Sequence, residues 1–112
     1  MGNPKFEIKK RKDNEFMFNL KAGNGEVILT SEGYASKQGC KNGISSVKTN
    51  APDDDNYERK VASNGQYYFT LKAQNGEVIG KSEMYTTTSA RDKGIKSVQN
   101  NAPSADTVDL TL

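Results

Sequence analysis

The feature that most constrains this chain is an internal duplication. Residues Phe16–Pro52 (FMFNLKAGNGEVILTSEGYASKQGCKNGISSVKTNAP) and Tyr67–Pro103 (YYFTLKAQNGEVIGKSEMYTTTSARDKGIKSVQNNAP) align without a gap at an offset of 51. Extended from Phe6/Tyr57 to Asp55/Asp106, the alignment has 22 identities in 50 positions. LKAxNGEVI, SExY, GIxSV and NAP recur in one order, as a repeated structural unit requires. One more step of 51 sets Val108-Asp109-Leu110 against Phe6-Glu7-Ile8, so two full units are followed by the first strand of a third. A unit of this size buries too little surface to be secure alone. No linker rich in Gly, Ser or Pro separates the halves, and Pro52–Asn56 (PDDDN) reads as a polar turn. The expectation is one domain with a shared core: repeat 1 over about 5–55, repeat 2 over about 56–106 and a C-terminal strand over 107–111. The halves should be related by an approximate two-fold axis, like a homodimer joined into one chain, which makes a monomer the expected state.

Within each unit the hydrophobic period changes once. Lys5–Lys10 alternates Phe6 and Ile8 with Glu7 and Lys9, a half-buried strand. Phe16, Phe18, Leu20 and Ala22 share one face, as do Tyr67, Phe69, Leu71 and Ala73 in the second copy. Asn24-Gly25 and Asn75-Gly76 then predict type I′ hairpin turns into third strands at Glu26–Thr30 and Glu77–Lys81. From Ser36 the apolar spacing becomes helical, through Cys40, Ile44, Val47 and Ala51, and from Thr87 through Ala90, Ile95, Val98 and Ala102. Ser36 and Thr87 are N-cap residues. Asn50-Ala51-Pro52 and Asn101-Ala102-Pro103 end the helices, with Asn suited to a left-handed terminus. The predicted fold class is α+β: two tandem β-β-β-α units plus a final strand, in a single antiparallel sheet with two helices on one face. Val108 and Leu110 of the last strand are expected to cover the core.

The LKAxNGEVI hairpin, the SExY segment and the GIxSVxxNAP helix, each present twice, resemble the YegP-like family of small bacterial proteins of unknown function. The resemblance spans nearly the whole chain. It implies β(3)-α-β units in one sheet whose C-terminal strands are exchanged between units. It carries no catalytic residue and no activity with it.

Composition narrows the function further. His is absent, which excludes an imidazole base, a His metal ligand and a Ser-His-Asp triad. Cys40 is the only cysteine, so no disulfide forms within the chain and a reducing, cytoplasmic compartment is expected. No apolar run is long enough to span a membrane, and no apolar signal core follows the basic start. With 16 Lys+Arg and 14 Asp+Glu the net charge is +2, below what a basic nucleic-acid domain usually shows. The cations Lys5, Lys9, Lys10, Arg11 and Lys12 cluster near the start against Glu7 alone.

The remaining residues with chemical potential have plain structural readings beside the functional ones. Lys37 and Lys41 could activate Cys40, yet no base or resolving thiol accompanies it. Asp53-Asp54-Asp55 lacks the spacing of a calcium loop and reads as a solvated turn. The recurring pairs Glu26/Glu77 and Glu32/Glu83 could run acid–base chemistry, but recurrence equally marks a scaffold. Gly39-x-x-x-Gly43 and Ala90-x-x-x-Gly94 read as sites of close helix packing. The expectation is a non-enzymatic binding or structural module with no metal and no cofactor, its partner undetermined. The alternative is weak single-stranded nucleic-acid binding through the open sheet face, with Tyr68 stacking a base and Lys72, Lys21 and Lys9 holding phosphates.

Overall fold

A computed structural model describes residues 2–112. Unit 1 contributes β1 (Lys5–Lys10), β2 (Phe16–Lys21), β3 (Val27–Thr30) and α1 (Lys37–Asn50). Unit 2 contributes β4 (Tyr57–Val61), β5 (Tyr67–Lys72), β6 (Val78–Lys81) and α2 (Thr88–Asn101), and β7 (Asp106–Asp109) follows. Short 3₁₀ turns at Asp54–Asn56 and Ala102–Ser104 connect the helices to the strands after them. The seven strands form one sheet in the order β4-β5-β6-β3-β2-β1-β7. The two-fold relation read from the repeat therefore runs between β3 and β6. Both helices lie over the core, α1 against β2 and across the seam onto β5 and β6, α2 against β5 and across onto β3.

The sheet is antiparallel from β4 to β1, but β7 joins β1 in parallel, so the expectation of a wholly antiparallel sheet is corrected at this edge. The chain leaves α2 in unit 2 and returns to the outer edge of unit 1, which is the strand exchange that the family resemblance implies. Register also corrects the expectation for Val108 and Leu110. The repeat aligns Val108 with Phe6, yet in the sheet Thr107 lies beside Phe6, Val108 beside Glu7 and Asp109 beside Ile8. A slip of one residue turns a strand over. Val108 and Leu110 consequently remain 37% and 53% exposed, while Thr107 and Asp109 face the helix side.

Local rules explain most elements and correct two details. Ser36 Oγ accepts from the Gly39 N–H (3.0 Å), and Thr87 Oγ1 accepts from the Ala90 N–H (3.0 Å), so both expected N-caps form. The helices end without a left-handed Asn: Ala51 and Ala102 keep right-handed backbones (φ −57° and −60°). Asn50 and Asn101 instead turn their amides back to donate to the Ser46 and Ser97 carbonyls (2.8 and 2.7 Å), and a proline follows each C-cap. The hairpin turns are not type I′ either. Only Gly25 and Gly76 have positive φ (87° and 85°), their Asn neighbours do not, and the Gly25 N–H returns to the Ala22 carbonyl (2.9 Å). This is a type I turn with a glycine bulge, which needs one left-handed residue rather than two.

The core joins both units: Phe6, Ile8, Phe18, Leu20, Leu29, Val47, Phe69, Leu71 and Val98 are fully buried. At the seam the strands meet through a single residue pair, Thr30 and Lys81, so apart from the β7–β1 pairing at the edge, side chains join the halves there. There the two-fold symmetry breaks. Leu29 and Gly80 are equivalent by the repeat, and a Cβ on Gly80 would sit 2.5 Å from Leu29 Cδ2 and 2.6 Å from its Cγ. Leu29 has no exposed surface and cannot swing away. One leucine fills the space on the axis, and glycine opposite makes room for it.

This packing gives a direct expectation. Gly80→Leu should destabilise by about 1–3 kcal/mol through overpacking, and Leu29→Gly by at least about 2–5 kcal/mol through the cavity. The exchanged pair, Leu29→Gly with Gly80→Leu, should recover about 1 kcal/mol or more of the summed loss in denaturant titration. Strict additivity would show that the two positions do not share one space.

Candidate functional site

The outer face of the sheet carries the residues that the sequence nominates for nucleic acid. Lys9 on β1 and Lys21 on β2 stand in unit 1, Tyr68 and Lys72 on β5 in unit 2, separated by β3 and β6. The three lysines are engaged. Lys21 Nζ lies 2.9 Å and Lys9 Nζ 3.9 Å from Glu7 Oε1. Lys72 Nζ lies 3.1 Å and Lys60 Nζ 3.6 Å from Glu58 Oε1. The hydrogen bond from Lys21 holds the Glu7 carboxyl below its ordinary value, against the burial that would raise it. Lys72 does the same for Glu58. Glu7, Lys9 and Lys21 recur as Glu58, Lys60 and Lys72, so each half of the face carries its own compensating carboxylate. Tyr68 is half-buried, with Lys81 Nζ 5.0 Å from its ring centroid.

The repeated motifs are absorbed by the scaffold. Ser31 Oγ accepts from the Phe18 N–H (2.8 Å) and donates to the Glu32 carbonyl (2.8 Å). Ser82 repeats this with Phe69 (2.9 Å) and Glu83 (2.8 Å). These hydroxyls pin the chain as it leaves β3 and β6, and the Glu32 and Glu83 side chains point to solvent. The next motif residues, Tyr34 and Tyr85, stack on Phe18 and Phe69. Their phenol oxygens press on Gly43 and Gly94, where any Cβ would collide with them. The glycine of GIxSV is thus the seat of the tyrosine of SExY, and burial pushes both phenol pKa values up. Glu26 and Glu77 are exposed beside the turns, where Asn24 and Asn75 accept from their N–H groups (both 3.0 Å). In the acidic run, Asp53 caps the turn by accepting from the Asp55 N–H (3.0 Å), and Asp54 pairs with Arg59 (3.3 Å).

Cys40 is fully buried, and burial, with Asp109 as the second cause, pushes its thiol up to about 11. Such a thiol stays protonated and inert. Its counterpart in unit 2 is Arg91, and that of Ile8 is Arg59. The difference follows β7, which closes the β1 edge while the β4 edge stays open. Ile8 and Cys40 belong to the covered end. Arg59 and Arg91 belong to the uncovered one and both reach Asp92 (3.2 Å each).

A cleft of about 370 Å³ lies between α1 and β7, lined by Ile8, Lys41, Ile44, Ser45, Lys48, Thr107 and Asp109. Sequence reasoning missed it, because its β7 wall depends on the parallel register. A signal was present nonetheless: Lys41, Ser45 and Lys48 have the unlike counterparts Asp92, Lys96 and Gln99. β7 is tethered there by Asp109, which pairs with Lys37 at 2.8 Å and accepts from the Thr111 N–H at 2.8 Å. These bonds, that from Lys37 first, lower the Asp109 carboxyl to about 2. A smaller cleft of about 220 Å³ opens at the seam between Thr30, Thr70, Val78 and Lys81.

The repeated architecture is matched by known proteins. Residues 12–58 and 62–109 each match a family described as a domain of unknown function, DUF1508. The chain belongs to the DUF1508 family. This DUF1508 chain is 53% identical over 106 residues to the UPF0339 protein YegP of Escherichia coli (strain K12), covering 95% of the chain and 96% of that relative. It is 56% identical over 104 residues to a UPF0339 protein of Bordetella pertussis, covering 93% and 94%. The solution NMR structure of yegP from E. coli, a protein of unknown function, superposes with a TM-score of 0.92 at 50% identity, covering 98% of this chain and 95% of that one. That of a UPF0339 protein from Shewanella oneidensis gives 0.90 at 51% identity, covering 96% and 92%. The family likeness read from the motifs therefore holds, and so does the α+β fold. No helix among the described residues of this DUF1508 chain is long and apolar enough to cross a membrane.

The tether on β7 has a pH signature. The folded pKa of Asp109 lies below its ordinary 3.8, so its stabilising effect is complete above that value and fades as pH falls through about 2. Hydrogen exchange at the Leu110 amide, which bonds the Ile8 carbonyl at 2.9 Å, should lose protection from about pH 4 to 2. Asp109→Asn should already be less protected at neutral pH and should lack this acid transition. The same profile in both proteins would remove Asp109 as the tether.

Proposed function

We propose that this protein is a cytoplasmic, non-enzymatic binding module that takes its ligand in the cleft between α1 and β7. The observation that carries the reading is the division of labour between the repeats. Groups that a reaction would draw on are tied into the scaffold: the Ser31 and Ser82 hydroxyls, the Tyr34 and Tyr85 phenols, the Glu7 and Glu58 carboxylates and the buried Cys40 thiol. Four of the positions at which the units differ, Ile8, Lys41, Ser45 and Lys48, line one cleft instead. There Lys41, Ser45 and Lys48 of α1 face Thr107 and Asp109 of β7 over an apolar lining. A concave site with an apolar lining and a few polar groups at its rim is how small-ligand sites are usually built. The unpaired cysteine supports the reducing compartment.

Single-stranded nucleic-acid binding on the outer sheet face is the second reading. It is favoured by Tyr68, whose half-buried ring has Lys81 beside it, and opposed by the glutamates that hold Lys9, Lys21 and Lys72.

One NMR screen separates the readings. Amide spectra are recorded with a mixed library of neutral, cationic and anionic fragments, then with a short single-stranded oligonucleotide at low and moderate salt. The cleft reading predicts saturable fragment shifts at Lys41, Ser45 and Thr107 and none with the oligonucleotide at Tyr68. Salt-sensitive oligonucleotide shifts confined to Tyr68, Lys72, Lys21 and Lys9, with no fragment in the cleft, would replace it with the second reading.

A further inference from the structure

We infer that the cleft between α1 and β7 selects a small organic anion, a carboxylate or phosphate carried on an apolar body. The inference rests on the cleft being the binding site and names the chemical class that it takes. Behind its polar rim the lining is apolar, contributed by the buried side chains of Ile8 and Ile44. Its α1 rim is cationic. Lys41 and Lys48 flank Ser45 at four and three residues, the spacings at which side chains on a helix are neighbours. Two flexible ammonium groups can therefore close over one anionic group placed above the Ser45 hydroxyl. Neither lysine has a carboxylate within ion-pair distance among the described residues, in contrast to the lysines of the outer sheet face. Lys48 stands 5.8 Å from the centroid of the Phe6 ring, a contact that leaves its ammonium open to a further partner.

The one carboxylate in the cleft is already balanced. Asp109 is turned to Lys37 at 2.8 Å and holds Thr111, so it does not consume the charge of Lys41 or Lys48. Thr107 adds a hydroxyl on the opposite wall. The volume of about 370 Å³ is near the lower end for small-molecule sites, which fits one ring or a short branched chain with its charged head. The equivalent place on unit 2 keeps one apolar residue, Ile95 for Ile44, and gains one cation, Lys96 for Ser45, but differs at the other positions. Arg59 replaces Ile8, Asp92 replaces Lys41, Gln99 replaces Lys48, and Arg59 bonds Asp92 across the gap. Two lysines beside an apolar lining walled by β7 are found on unit 1, whereas the cleft of similar volume on α2, lined by Thr88, Ser89, Asp92, Lys93 and Lys96, has no apolar lining residue and sets Asp92 among its cations.

The test is an amide-shift titration of the full chain with benzoate, phenyl phosphate and the neutral isostere benzamide. Lys41→Gln with Lys48→Gln serves as the variant, and unchanged amide shifts at Phe18 and Val47 would show that loss of the Lys48–Phe6 contact leaves the core intact. The expected result is saturable binding of an anionic probe at Lys41, Ser45 and Thr107, at least tenfold weaker for benzamide and at least tenfold weaker in the double variant. Lys93 and Lys96 on α2 should not respond. Benzamide binding as tightly as benzoate, or unchanged anion binding in the double variant, would overturn the ligand class while leaving the cleft as the site. Anionic probes that move α2 and the sheet face as much as the cleft would overturn the class as nonspecific charge attraction. If no anionic probe and no fragment of the mixed library reaches the cleft, the site itself falls.

Discussion

The fold depends on a seam that the backbone scarcely bridges. β3 and β6 meet at the single pair Thr30 and Lys81, so a sheet of seven strands is held at its centre by side chains. Leu29 lies in the space left by Gly80, and each helix reaches over the seam onto strands of the other unit. A duplicated chain meets a steric limit at its own axis, where two identical large residues would claim the same volume. Replacing one by glycine resolves it. The remaining symmetry is then free to serve each unit alike, as in the Tyr34–Gly43 and Tyr85–Gly94 contacts that fasten each helix to the sheet.

The second departure from symmetry is β7. It closes the β1 edge and has no counterpart at β4 among the described residues, so the two ends of the sheet face different surroundings. At the covered end Ile8 and Cys40 are buried. At the open end β4 reads Tyr57-Glu58-Arg59-Lys60-Val61, and a strand edge carrying charges resists pairing with another chain. The α1–β7 cleft is a consequence of the same asymmetry. It lies between α1 and the added strand, and its Lys41 and Lys48 are spared the ion pairs that neutralise the outer face.

Much of this was legible in the residues. The offset of 51 gave the units and their shared core, alternation gave the strands, and Ser36 and Thr87 marked both helix starts. The failures share a cause: they depend on how elements meet, which local patterns do not encode. Repeat alignment set Val108 on Phe6, but the parallel register places Thr107 there, and no property of the strand itself distinguishes the two. Asn24-Gly25 carries a turn signal that two turn geometries satisfy, and the pairing of Ala22 with Glu26 across a three-residue loop decides between them. Lys9, Lys21 and Lys72 read as cations on an open face where Glu7 and Glu58 only dilute the charge. Lys9 reaches Glu7 along its own strand, but only the cross-strand pairing of Glu7 with Asn19 and of Glu58 with Thr70 brings the glutamates within reach of Lys21 and Lys72. The cleft was invisible because its two walls are more than fifty residues apart in sequence.

If the seam is held by side chains of both units, the halves cannot open separately, although each repeats the same local structure. Native-state hydrogen exchange tests this most directly, by comparing Phe18 and Leu20 on β2 with Phe69 and Leu71 on β5 across a series of denaturant concentrations. The account predicts that the slowest amides of both strands share one opening free energy and one denaturant dependence, those of global unfolding. Two separate opening isotherms, differing by about 1 kcal/mol or more, would contradict it and describe two units that fold as neighbours rather than through a common core.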